Sequence, residues 1–112
     1  MRQLPKLALQ ATALLLLGPL GSASEPSTGV STHTVTIENM LFNPAELTVH
    51  RGDRIVWVNK DLFPHTATAK DKTFDSGAIE SNGSWTFKAD KAGDYPYGCT
   101  FHQTMNGQIH VR

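Results

Sequence analysis

Apolar and polar residues alternate through most of the chain after its N-terminal segment. Val35 and Ile37 alternate with Thr34 and Thr36, and Leu47 and Val49 with Thr48 and His50. Trp85 and Phe87 alternate with Thr86 and Lys88, Tyr95 and Tyr97 flank Pro96, and Ile109 and Val111 enclose His110. A period of two is the mark of a strand with one face on a core. Ile55-Val56-Trp57-Val58 is a denser apolar run that reads as a further strand. Between the runs stand turn formers: Asn43-Pro44, Arg51-Gly52-Asp53, Ser76-Gly77, Asn82-Gly83 and Ala92-Gly93-Asp94. No sustained helical period occurs beyond the N-terminal segment, although a brief helical turn is allowed between Asp61 and Gly83, where the alternation is weakest. Short strands at roughly even spacing predict an all-β, Greek-key β-sandwich of seven to eight strands.

The N-terminal segment differs in kind. Arg2 and Lys6 precede an apolar run from Leu7 to Leu17, which is followed by Gly21, Ser22 and Ala23. A positive start, a short apolar middle and small residues at the cut are the layout of a secretory signal. The expected organisation is therefore a signal peptide over 1–23, a flexible polar leader over 24–32 and one domain over 33–112. The apolar run is short for a membrane span and is interrupted by Pro19 and Gly21. Cleavage near Ala23 implies export to the periplasm and no membrane insertion afterwards. The full chain of 112 residues has ten Lys+Arg and ten Asp+Glu, and the signal takes two positive charges with it. A mildly acidic single domain is a poor partner for nucleic acid.

Cysteine usage brings in chemistry. Cys99 is the only cysteine, so an internal disulfide is impossible in a compartment where small domains often use them. It opens the segment Cys99-Thr100-Phe101-His102-Gln103-Thr104-Met105, a C-x2-H-x2-M spacing between the last two predicted strands, and His65 follows Pro64 far upstream. Taken singly, each of these residues reads more simply as a buried cysteine, a loop histidine or a core methionine. Together, a thiolate, two imidazoles and a thioether form a donor set that suits copper in both its oxidation states. Cys99, His65 and His102 are the three strong ligands expected, with Met105 as a long, weak axial one. Zinc on the same residues would leave Met105 without a role.

The ordered motifs resemble the cupredoxins, the plastocyanin/amicyanin family of small blue-copper proteins. The resemblance runs through Met40-Leu41-Phe42-Asn43-Pro44, Leu47-Thr48-Val49, Gly52-Asp53 and Val56-Trp57-Val58-Asn59-Lys60-Asp61. It continues through Pro64-His65-Thr66, Phe74-Asp75-Ser76-Gly77, Gly93-Asp94-Tyr95-Pro96-Tyr97-Gly98-Cys99 and Met105-Asn106-Gly107. The short gap between His102 and Met105 is that of amicyanin-like members. Two positions depart from the family pattern. Gln103 stands where a proline often follows the ligand histidine, restoring a backbone donor and loosening the loop. Thr66 stands where an asparagine often bridges the two ligand loops, so that bridge is expected to be shorter or missing.

The resemblance implies one type 1 copper ion, held by His65, Cys99, His102 and Met105, and a one-electron carrier cycling between Cu(II) and Cu(I). It implies redox protein partners, such as a dehydrogenase or a c-type cytochrome, and a monomer. With every coordination position filled by the protein there is no open site for metal catalysis, so an enzyme is not expected. His102 is the expected electron port, in an apolar patch that includes Phe101 and extends to Leu62 or Phe63. Trp57, Trp85, Phe42, Phe74 and Phe87 read as core. His50 and His110 read as exposed strand positions, and His33 as the edge of the leader. The main alternative is a periplasmic copper-binding or copper-trafficking protein without a redox role, which the scarcity of methionine after the signal disfavours. A metal-free binding module is a further alternative.

Overall fold

The computed structural model describes residues 29–112. The expectations for the signal peptide, and for all but the end of the leader, lie outside the described residues. Eight strands are present: β1 (Thr32–Glu38), β2 (Leu41–Asn43), β3 (Glu46–Val49), β4 (Arg54–Asn59), β5 (Thr68–Ala69), β6 (Ser84–Lys88), β7 (Gly93–Gly98) and β8 (Asn106–Val111). They form two four-stranded sheets, ordered β2-β1-β4-β6 and β3-β8-β7-β5. Each sheet is mixed, with β1 parallel to β4 in one and β3 parallel to β8 in the other. The expected all-β sandwich is observed.

Alternation in sequence becomes alternation in burial. In β1, Val35 and Ile37 are buried while their neighbours are not, and in β4 Ile55, Trp57 and Asn59 point inward. The apolar neighbours Val56 and Val58 are half-buried, which accounts for the density of that run. Trp57 is the centre of the core: its ring packs against Phe74, Trp85 and Tyr97, and its Nε1–H donates to the Tyr97 hydroxyl at 3.1 Å. Burial pushes the Tyr97 phenol far up, so it stays protonated. Tyr97 pairs with Gly107 across β7 and β8, and a Cβ on Gly107 would lie about 2.5 Å from the Tyr97 ring. Only glycine permits that approach.

Two strands are too short to show a period of two in the sequence, although the three residues of β2 do alternate in burial. β2 joins β1 through a two-residue turn in which Asn39 and Met40 both have positive φ, 56° and 61°. Left-handed geometry at both central residues matches the twist of a hairpin. β5 has two residues, and it lies in the region where a helical turn was allowed. Among the described residues there is no helix. The segment 61–83 is instead held by the bridges His65↔Ile79 and Thr68↔Asp75, because these pair its backbone groups locally without helical hydrogen bonds. Trp85 and Phe87 lie at the margin of the core, half-buried, on β6 at the sheet edge.

Candidate metal centre

His65 and Cys99 come from opposite sheets' extensions and meet at one end of the sandwich. The chain leaves β4 at Asn59, whose fully buried side chain organises the next turn. Its amide donates to the Phe63 carbonyl at 2.7 Å and to the Ile79 carbonyl at 2.9 Å, and its Oδ1 accepts the Asp61 N–H at 2.9 Å. His65 then bridges Ile79 through reciprocal backbone hydrogen bonds of 3.1 and 2.7 Å. The result is a histidine with no exposed surface, fixed at the mouth of the core.

The second ligand-bearing segment is the loop between β7 and β8. Three backbone hydrogen bonds fold it on itself: His102 N–H to the Cys99 carbonyl at 3.4 Å, Met105 N–H to the His102 carbonyl at 3.0 Å, and Cys99 N–H to the Met105 carbonyl at 3.2 Å. Cys99 and Met105 are turned inward, 4% and 1% exposed, and His102 is half-buried between the exposed Phe101 and Gln103. The Cys99 Sγ lies 3.8 Å from His65 Nδ1 and 3.7 Å from His102 Nδ1. One ligand atom from each of the three residues lies within 4.8 Å of the others, the one such group among the described residues. Donors each about 2.0–2.3 Å from a shared ion stand up to about 4.5 Å apart, so these spacings suit a single small cation. Thiolate plus imidazole is the donor chemistry of copper rather than of a hard cation such as calcium or magnesium.

The sulfur is not bare. Thr66 N–H donates to Cys99 Sγ at 3.3 Å. The bridge expected to be shortened or missing at Thr66 is present: its Oγ1 accepts the Thr100 N–H at 2.9 Å and lies 3.2 Å from the Thr100 hydroxyl and 2.9 Å from that of Thr68. A threonine thus joins the two ligand segments, because its hydroxyl reaches the adjacent backbone directly. The hydrogen bond to sulfur comes from Thr66, on the His65 side.

One residue at this site was quoted within a motif above but given no role. Asp61 Oδ2 lies 2.8 Å from His65 Nε2, and the same carboxylate accepts the N–H groups of Asn39 at 2.7 Å and Met40 at 3.0 Å. Burial raises its pKa, but the N–H of Met40, the His65 ring and the N–H of Asn39 together outweigh that, and the carboxyl is held below its ordinary value. The Asp61–His65 spacing was the available signal, since ligand histidines commonly give their second nitrogen to a carboxylate.

The other histidines lie elsewhere. His33 is inside β1 and bonds Asp53 at 2.9 Å. His110 is on β8 as expected but is not freely exposed. It sits between Asp94 at 2.7 Å and Glu46 at 3.0 Å, and those carboxylates raise its pKa. His50 is exposed just beyond β3.

Comparison with known proteins agrees with this arrangement. The sequence model of the cupredoxin-like domain matches residues 8–111. Amicyanin-alpha of Methylorubrum extorquens is 32% identical over 109 residues, covering 93% of this chain and 90% of the relative. A plastocyanin of Scenedesmus fuscus is 33% identical over 86 residues, covering 65% of this chain and 88% of the relative. Among solved structures, an amicyanin variant in its Cu(I) form superposes with a TM-score of 0.69 at 26% identity, covering 76% of this chain and 86% of that one. A second amicyanin variant, in its reduced state, gives 0.67 at 28% identity, covering 79% and 87%. The chain belongs to the cupredoxin family, among relatives of the amicyanin and plastocyanin kind.

Proposed function

We propose that this protein is an exported type 1 copper protein that carries single electrons between redox partners, with His65, Cys99 and His102 as strong ligands and Met105 as the weak fourth. The observation that carries the reading is the convergence of the Cys99 sulfur and two imidazole Nδ1 atoms at 3.7–3.8 Å, at the end of a sandwich whose relatives include copper-bearing amicyanin. Bound copper supplies the one-electron Cu(II)/Cu(I) couple. Everything else is done by the chain.

His65 is fully buried and tied down at both ends, by Ile79 on its backbone and Asp61 on its ring, which fixes the direction of its Nδ1. A ligand set that moves little on electron transfer keeps the reorganisation barrier low. Cys99 gives a thiolate whose charge is steadied by the Thr66 N–H. Met105 is packed in the core beneath the loop. His102 is half-buried and serves as the electron port, with Leu62 (85% exposed), Phe63 (60%) and Phe101 (53%) as apolar surface for a partner to cover. Partners are other redox proteins, a dehydrogenase or a c-type cytochrome.

In this reading residues 1–23 direct export to the periplasm and 24–32 form a leader whose last residue enters β1. The test is to add Cu(II) to the purified metal-free protein and record visible and EPR spectra. An intense blue band with narrow hyperfine splitting, bleached reversibly by ascorbate, is the expected result. Pale colour with ordinary splitting would remove Cys99 from the copper and sink the proposal.

A further inference from the structure

Beside the candidate metal centre lies a cavity of about 460 Å³ lined by Gly98, Cys99 and Thr100 together with Lys70, Lys72 and Gln103. We propose that this cavity is a docking site for the acidic surface of a protein redox partner, which inserts a carboxylate side chain between the two lysines. The inference rests on the electron-carrier reading above and adds a second contact surface to it.

The two ammonium groups are available. Both lysines are exposed, and neither has an ion-pair partner among the described residues. The carboxylates nearest in sequence are occupied by their own turns: Asp71 accepts the Thr73 N–H, and Asp75 accepts the Thr68 hydroxyl and the Gly77 N–H. No acidic residue lines the cavity. The lysine backbones are also held in place. Lys70 N–H donates to the Pro96 carbonyl at 2.9 Å, Lys72 N–H donates to the Ala69 carbonyl at 3.0 Å, and Lys72 sits in the left-handed region at φ 67°.

Lys70 is further drawn over the metal-centre strand. A Cβ built on Gly98 would lie 3.1 Å from Lys70 Nζ, so the absence of a side chain there lets the ammonium settle one residue from Cys99. Gln103 also lines the cavity and brings a side-chain amide to it, at the position where the family pattern often has a proline, which has no donor to offer. Thr100 and Gln103 face the cavity whereas Phe101 and His102 between them do not line it, so the ligand loop divides a cationic side from an apolar one.

Charge complementarity selects the occupant. The domain that follows the expected signal is net acidic, so two lysines with no ion-pair partner among the described residues, lining one cavity with Cys99, are a local feature and not a consequence of general basicity. Exposed cations of this kind hold a single small anion only weakly, because water and salt screen them, although at low salt they still raise the encounter rate of a multiply charged one. An array of carboxylates on a macromolecule is steered and oriented by them, which suits the brief encounters of electron carriers.

The experiment uses the Cu(I) form of the protein labelled with nitrogen-15 and titrated at low salt with hexaglutamate, and separately with inorganic phosphate. The amides of Lys70, Lys72, Thr100 and Gln103 should shift with hexaglutamate, and the shifts should disappear in the Lys70→Gln/Lys72→Gln double variant. In parallel, oxidation of the Cu(I) protein by hexacyanoferrate(III) should slow by up to about tenfold in that variant at low ionic strength. Oxidation by the cationic tris(phenanthroline)cobalt(III) should not slow. Absence of shifts at these amides, or their persistence in the double variant, overturns the proposal. Equal shifts with phosphate at equal charge concentration also overturn it, in favour of a small-anion pocket. The blue absorbance of the oxidised sample reports the copper centre independently, so failure of the cavity and failure of the copper reading are distinct results.

Discussion

Asp61 and His65 form a 2.8 Å contact between a carboxylate oxygen and Nε2 of the buried histidine, and the same carboxylate closes the β1–β2 turn through Asn39 and Met40. The contact assigns the Nε2 proton of a neutral His65, because an ionised carboxylate can only accept. Nδ1 is then the free lone pair, and it is the nitrogen that faces the Cys99 sulfur.

Asp61→Ala removes that assignment and leaves two turn N–H groups without their acceptor. Copper affinity should fall by about 10–100-fold, the usual effect of losing such a partner. Competition for Cu(I) against a chromophoric chelator measures it. An unchanged affinity would show that His65 is held by its backbone alone.

Met105 and Cys99 make opposite predictions. Met105→Leu keeps the buried volume, so the protein should still bind copper and remain coloured, while its reduction potential rises with loss of the weak axial donor. Cys99→Ser should lose the intense band entirely, since that band needs the thiolate. Cyclic voltammetry and visible spectra on the two variants check both. Loss of all metal from Met105→Leu would contradict the weak axial role.

Thr66→Val preserves shape but removes the hydroxyl that accepts the Thr100 N–H and meets Thr68. The backbone N–H to Cys99 Sγ is unaffected by the change. Stability should fall by about 1–3 kcal/mol, the cost of leaving buried polar groups unsatisfied, while the blue colour survives. Thermal unfolding of the copper-loaded variant gives the first quantity and its spectrum the second.

Asp53 couples stability to acid. The His33 ring, then the N–H groups of His50 and Ser31, hold its carboxyl at about 2 against an ordinary 3.8. A depressed folded-state pKa means that its contribution is complete above 3.8 and is lost as the pH falls towards about 2. Asp53→Asn should therefore lower the urea midpoint near neutrality, and the gap to the parent protein should close across that acid window. Tryptophan fluorescence in urea at several pH values follows it. A gap that stays constant down to about pH 2 would refute the linkage.

Much of this was legible in one dimension. Strand alternation is a local property, so Val35 and Ile37 or Ile109 and Val111 announce a buried face without any partner being known. The two shortest strands, β2 and β5, were not legible because two or three residues cannot establish a period. The loop from Cys99 to Met105 was legible because three of its candidate donors lie within one short loop, and their chemistry is read from residue type.

Residue type and spacing by themselves determined the all-β class, the soft donor set and which histidine accompanies Cys99 within the loop. The order of the motifs already put forward His65 rather than His33, His50 or His110; the tertiary structure brings it to Cys99 and His102, and it alone decided that Asp61 and Thr66 support the group. It likewise set Lys70 over Gly98 beside the sulfur. The reason is physical. Cys99 and His65 are 34 residues apart, and Asp61 lies 22 from the Asn39 whose N–H it accepts, so no local periodicity relates them. Strand pairing within the two sheets brings such distant segments to one end of the sandwich, where a few ångströms decide which donors meet.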